Sequence, residues 1–165
     1  MTSRPVLNIP RSTLDTAIDI AALAGILLTI ILLITKWAAL PDVIPIHFDI
    51  SGKPDSTGSK LTILLFPAIG ILIYAMLTVL NRFPHTFNYP VPITEANAYR
   101  QYQIAVGLIR WLKLELVWEF AFIEWQIILA ASGKALGLNV AFLLIILLVV
   151  FGTVGYYLWQ AYQNR

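Results

Sequence analysis

The chain has 165 residues, of which 59% are hydrophobic and 12% charged. A soluble domain carries about 25% charged residues, and a soluble fold of this size could not cover so much apolar side chain, so lipid must do the covering. Eleven Lys+Arg against nine Asp+Glu leave a formal charge of +2 without a basic run to track a nucleic-acid backbone, and the absence of Cys removes disulfides, thiolate metal sites and a Cys nucleophile.

A helical span needs about 20 mostly apolar residues to cross ~30 Å of hydrocarbon. Ala17 to Thr35 meets that, with Asp19 at its entry and Lys36-Trp37 at its exit, and predicts a first span over about 17–39. Its apolar core is longer than a signal-peptide core, and Asp15 and Asp19 stand beside Arg4 and Arg11 in the approach, so an uncleaved anchor is expected.

The segment 40–60 is long for a connection and is expected to be folded. Pro41 and Pro45 stop the helix and favour extended backbone. Ile44, Ile46, Phe48 and Ile50 alternate along one face of a short strand, with His47 and Asp49 on the other. Gly52-Lys53-Pro54-Asp55 and Thr57-Gly58 are turn chemistry returning the chain to the membrane, and Ser59 suits a helix cap. The candidate partner-binding residues here are Asp42, His47, Asp49, Asp55 and Lys60. Asp42, His47, Asp49 and Asp55 could hold a divalent ion, but their spacing matches no zinc or calcium loop, so no metal or other cofactor is expected.

A second charge-free span follows over 61–80, with Pro67 and Gly70 near its middle predicting a kink. The segment 81–103 is extended by Pro84, Pro90 and Pro92, and Thr94 followed by Glu95 looks like a helix N-cap. Its candidate residues are Arg82, Asn88 and Glu95.

The stretch 104–131 carries Arg110, Lys113, Glu115, Glu119 and Glu124, yet nothing breaks a helix beyond Gly107. It is read as a third span whose ionisable groups face protein; the alternative is an interfacial amphipathic helix. Trp111, Trp118 and Trp125 recur every seven residues along one side, as a packing or lipid-facing surface. Glu115 and Glu119 lie one turn apart on a neighbouring face, and Glu124 points roughly the other way. An acid at the centre of a span costs at least ~2.5–3.5 kcal/mol, so these three faces either border a proton or cation path or binding cavity, or are paired. Pairing would join Glu124 to Lys60 or Lys36 and Glu115 to Arg110 or Lys113. A tight turn at Ser132-Gly133-Lys134 then leads to a charge-free fourth span over 135–159, ending in Tyr156, Tyr157 and Trp159.

These elements predict one integral membrane domain over 1–165: an all-α bundle of four transmembrane helices with a folded, partly extended outer loop between the first two. With the N-terminus inside, every Arg lies on the inner side and Lys36, Lys53, Lys60 and Lys134 lie outside. Both termini are therefore expected in the cytoplasm. No nucleophile, base and orienter come together, and the two His fall on opposite sides, so no catalytic residue is assigned and no enzyme is expected.

The runs Leu40-Pro41-Asp42, Ile44-Pro45-Ile46-His47-Phe48, Gly52-Lys53-Pro54-Asp55 and Gly58-Ser59-Lys60 resemble the signature of a small bacterial membrane domain without assigned chemistry. That domain is best known as the N-terminal part of the immunity proteins that protect spore-forming bacteria from their own sporulation-delaying toxin. Phe87-Asn88-Tyr89-Pro90-Val91 and Ile93-Thr94-Glu95 are similar to stand-alone members of the same group. Members often carry a neutral polar residue at the position of Asp49. The resemblance implies a bacterial inner or other energy-transducing membrane. The expected function is a non-enzymatic binding or accessory protein, with membrane lipid and a protein partner in the membrane or on its outer side. The alternative is a small transporter or channel using the three Glu residues.

Overall fold

The computed structural model describes residues 4–165. It is mostly helical, with one two-stranded sheet among the described residues. Helix α1 runs Thr13–Lys36 and continues as a 3-10 turn, Trp37–Ala39. Strands β1 (Val43–Phe48) and β2 (Pro54–Ser59) follow, then a 3-10 turn (Lys60–Leu64), α2 (Leu65–Leu80), α3 (Ala98–Ala131) and α4 (Val140–Gln163). Three of these segments, Thr13–Ala39, Lys60–Leu80 and Val140–Gln163, are long and apolar enough to cross a membrane.

Helix α1 starts on a reciprocal cap. Ser12 Oγ accepts from the Asp15 amide at 3.1 Å, and Asp15 Oδ2 accepts from the Ser12 amide at 2.8 Å, satisfying two donors that the helix leaves open. Its buried face, Ile18, Asp19, Ala22, Gly25, Ile26, Thr29 and Leu33, repeats at helical spacing. At Gly25 a Cβ would stand 2.8 Å from Val117 Cγ1, so α1 and α3 pack through a position that only Gly fits. Trp118 Nε1 uses that approach to donate to the Ala21 carbonyl at 2.9 Å.

Helix α3 is the central element and packs against α1, α2, α4 and β1. It is 34 residues long, about 51 Å at ~1.5 Å per residue. At its start Gln101 Nε2 donates to the carbonyls of Ala161 and Asn164 at the end of α4. Tyr102 Oη there donates to the Pro5 carbonyl at 3.1 Å. Towards its other end Ile127 and Ile128 pack with Leu33, Leu40, Ile44 and Ile63, beneath the hairpin. So α3 runs the full length of the other three helices. The hairpin and the 132–139 connection lie at one end, with the described N-terminal residues, the C-terminus and the 81–97 segment at the other.

Several local expectations need correction. The fourth helix begins at Val140, not Ala135. Asn139 caps it by accepting from the Phe142 amide, and residues 132–139 form a connection longer than a tight turn. Pro67 does not interrupt an α-helix at its middle: the chain is 3-10 helical over Lys60–Leu64, so Pro67 falls in the first turn of α2, where no helical N–H is missed. Ile50 is 97% exposed in the hairpin turn and does not extend the apolar face. The return segment Pro54–Ser59 is itself a strand, antiparallel to β1, with register shifts around His47.

Ser59 does cap the turn that leads into α2, accepting from the Leu61 amide at 3.3 Å. Thr94 is not the N-cap of α3, which starts at Ala98 after Asn97; Thr94 closes the turn before it. Its Oγ1 accepts from the Asn97 amide at 3.3 Å, and Asn97 Oδ1 accepts from the Thr94 amide at 2.8 Å, one turn before the helix proper.

Candidate functional site

The hairpin residues are paired with one another. Lys60 Nζ stands 2.8 Å from Asp42 Oδ1, and the Lys60 amide donates to the Asp42 carbonyl, closing the hairpin at its base. The hydrogen bond and charge of Lys60 hold the Asp42 carboxyl below its ordinary range. His47 Nδ1 lies 2.5 Å from Asp55 Oδ1 across the two strands. Asp49 folds back on the tip: its Oδ1 accepts from Ser51 Oγ, the Ser51 amide and the Lys53 amide at 2.7, 2.8 and 3.0 Å. Those donors, the Ser51 hydroxyl first, keep its carboxyl low as well. The four candidate metal ligands are thus divided among a base, a rung and a tip. No group of three or more His, Cys, Asp or Glu gathers around one point among the described residues.

At the opposite end of the bundle, charges from two helices interlock. Asp15 meets Arg110 at 2.8 Å, and Asp19 meets Lys113 at 2.6 Å and also Arg11. Lys113 donates to Thr78 of α2 at 3.0 Å and lies over the Tyr74 ring. This overturns the pairing expected for the acidic residues of α3. Arg110 and Lys113 are taken by α1 carboxylates and Lys60 by Asp42, because α1 presents Asp15 and Asp19 one turn apart, facing the α3 stripe.

The three Glu residues find other surroundings. Glu115 Oε1 accepts from Thr153 Oγ1 of α4 at 2.6 Å, while its Oε2 is buried without a hydrogen-bond partner among the described residues. Glu119 has no hydrogen-bond or ion-pair partner among them. Glu124 is completely buried, and neither of its oxygens has a hydrogen-bond partner among the described residues. Of the remaining candidates, Arg82, Asn88 and Glu95 are exposed in the 81–97 segment. That segment is organised instead by residues sequence reasoning passed over. Arg4 donates to the Phe87 carbonyl and lies over the Tyr89 ring, and Tyr89 donates to the Pro84 carbonyl at 2.8 Å.

The clearest concavity is a lateral groove of about 580 Å³ between α1, α3 and α4. Leu28 and Leu32 form one wall, and Phe142, Ile145, Ile146, Val149 and Val150 the other. Its floor is one stripe of α3: Glu115, Trp118, Glu119, Phe122 and Trp125, at helical spacing. Two carboxylates and two indoles that the heptad reading put on adjacent faces therefore share one groove. Glu124 and Trp111 stand outside it. The groove is within the ~300–1,000 Å³ range of small-molecule sites, and its few polar groups sit among apolar walls as such sites require.

Residues 24–71 match a family described as "Domain of unknown function (DUF1648)"; this is the stretch from mid-α1 through the hairpin into α2. An uncharacterized protein of Archaeoglobus fulgidus is 37% identical over 62 residues, 33% of this chain and 34% of that protein. The chain thus spans about a third of that relative's length. No solved structure matches the chain. The hairpin and the helix ends that hold it are similar to a domain family of unknown function, carried here on a chain with three membrane-length apolar helices.

Proposed function

We propose that the chain is a non-enzymatic, four-span membrane protein that binds an amphipathic cation in the lateral groove between α1, α3 and α4. The observation that carries this reading is the pairing of unpartnered acid with aromatic surface. Glu119, and one oxygen of Glu115, line an otherwise apolar groove beside Trp118 and Trp125. An ammonium group attached to an apolar body complements both, through charge and through the indole faces. Helix α3 is the fourth span in this reading, supported by its full-length course beside three apolar helices and by the burial of Arg110, Lys113 and Glu124 against protein. Both termini lie in the cytoplasm and the hairpin outside, following the Lys and Arg distribution. Impermeant labelling of cysteines at Ser51 and at Thr86 tests that orientation, the first accessible from outside and the second not.

An immunity role, which the loop resemblance suggests, makes the natural ligand a membrane-active peptide presenting a cationic group between apolar ones. The binding test uses a simpler probe: a long-chain alkyltrimethylammonium titrated into protein in zwitterionic vesicles. Indole fluorescence should respond saturably, and the alkyl sulfate of equal chain length should not produce that response. Glu119→Gln should weaken the ammonium response about tenfold, the loss of one charge-assisted contact. Equal responses to both head groups would remove this function.

A further inference from the structure

Another cavity has the opposite chemistry. It measures about 540 Å³, at the end of the bundle that holds the N-terminal segment, and is lined by Arg11, Arg82, Arg110, Lys113, Asp19 and Asn81 among others. Four of these groups are cationic and one is a carboxylate. Asp15 pairs with Arg110, so four positive charges face two negative ones, leaving a local excess of two. Asp19 is already shared between Arg11 and Lys113, and the Arg82 side chain has neither an ion pair nor a hydrogen bond among the described residues. The Asn81 side-chain oxygen is buried without a hydrogen-bond partner among the described residues; with the amide rotated, its NH₂ becomes a further donor.

The cavity is built rather than incidental. Its cationic floor is rigid: Lys113 is 1% exposed and fixed by Thr78 and Asp19 together. Its outer wall is the segment Val6–Ile9, pinned on one side by the hydrogen bond from Tyr102 to Pro5 and by Arg4 on Phe87. Its height along the bundle is set by the sequence. The apolar run of α2 ends at Leu80, immediately before Asn81 and Arg82, and the apolar run of α1 begins after Asp19. The excess charge is therefore at the level where hydrocarbon gives way to head groups. Basic pockets between helices at that depth suit anionic phosphates.

We propose that this cavity binds a phosphate-bearing anion, with Arg82 and Arg11 as the accessible arms and Lys113 with Arg110 as the buried floor. Lipid head groups and soluble phosphate share this chemistry, so the experiment separates them. The full-length protein is placed in phosphatidylcholine nanodiscs at fixed ionic strength, and its unfolding temperature is followed in two arms. One arm raises the fraction of phosphatidylglycerol; the other adds inorganic phosphate against chloride. A saturable rise with phosphatidylglycerol alone assigns the site to a lipid, and a rise with inorganic phosphate assigns it to a soluble anion.

In the responding arm Arg82→Gln should weaken the apparent affinity about fivefold. Arg82→Lys should restore most of it. Arg100→Gln removes an exposed charge outside this cavity and should change nothing. The Arg82 side chain makes no hydrogen bond or ion pair among the described residues, and the bond from its backbone amide to the Val79 carbonyl survives the substitution, so its replacement should leave the fold intact. A flat response in both arms, or equal responses of Arg82→Gln and Arg100→Gln, overturns the proposal.

Discussion

Asp19 of α1 and Lys113 of α3 meet at 2.6 Å with both residues buried, 8% and 1% exposed respectively. A buried pair contributes little net stability against a well-packed apolar substitute, but breaking it strands the survivor. Asp19→Ala should therefore destabilise the protein by roughly 3–5 kcal/mol. The double variant Asp19→Ala, Lys113→Leu should recover much of that loss. Reversible unfolding in mixed micelles measures both, and a double variant no better than Asp19→Ala would show that the pair is not the origin of the loss.

Gly52 is the second point where one residue controls a distant element. It has φ of +82°, and its carbonyl accepts from the Leu138 amide at 2.8 Å, fastening the hairpin tip to the start of α4. A Cβ at Gly52 would meet the Leu138 carbonyl and stand 2.9 Å from Val140 Cγ2, with a strained backbone in addition. Gly52→Ala should cost on the order of 1–3 kcal/mol and should release the 132–139 connection. Faster amide exchange at Leu138 reads the release, and unchanged protection there would contradict the contact.

The hairpin tip should be acid-sensitive. The donors from Ser51 and Lys53 favour the charged form of Asp49, so its carboxyl in the folded protein lies below the unfolded value of ~3.9. A depressed acid contributes its stability above the unfolded pKa and loses it as pH falls through the folded one. The tip should thus be intact at neutral pH and loosen only in strong acid. The amide resonances of Ser51 and Lys53 should titrate together with a midpoint below that of ordinary aspartate. Asp49→Asn should abolish the titration; a midpoint at or above ~4 would show that the turn does not hold the charge.

What could be read from the chain, and what could not, follows from how far each signal reaches. Apolar runs reported three membrane-length helices, because length and hydropathy are local properties. Ser59 was legible as a cap, since caps depend on a few neighbouring residues, whereas Thr94 has a cap's composition but closes the turn before α3. Strand β2 was not, because Pro-Asp-Ser-Thr-Gly-Ser has no apolar alternation and owes its extension to pairing with β1. The start of α4 was misplaced because Ala135 to Leu138 continue the apolar run, although Asn139 carried the cap signal. The ion pairs needed α1 and α3 to be neighbours. Asp15 with Asp19, and Arg110 with Lys113, each form a visible stripe, but one sequence does not say which stripes face each other.

Glu124 decides between the binding and transport classes. It is fully buried on α3, away from the groove, and both carboxylate oxygens lack a hydrogen-bond partner among the described residues. An unsatisfied buried polar group costs about 1–3 kcal/mol, more when charged. Removing such a group abandons no partner, so a purely structural Glu124 should tolerate Gln, and Leu should leave the protein equally stable or more stable. A group that carries protons or cations behaves differently: Gln keeps its shape and removes its titration, so coupled flux would vanish while the fold persisted. Glu119→Gln supplies the comparison, since the proposed binding function assigns it to ligand contact and Glu124 to none. The expected outcome is that Glu124→Gln retains both the melting temperature and the alkyltrimethylammonium response of the wild type, whereas Glu119→Gln retains only the first. If reconstituted wild-type protein shows a proton- or cation-coupled flux that a folded Glu124→Gln variant lacks, the chain is a transporter whose path includes Glu124.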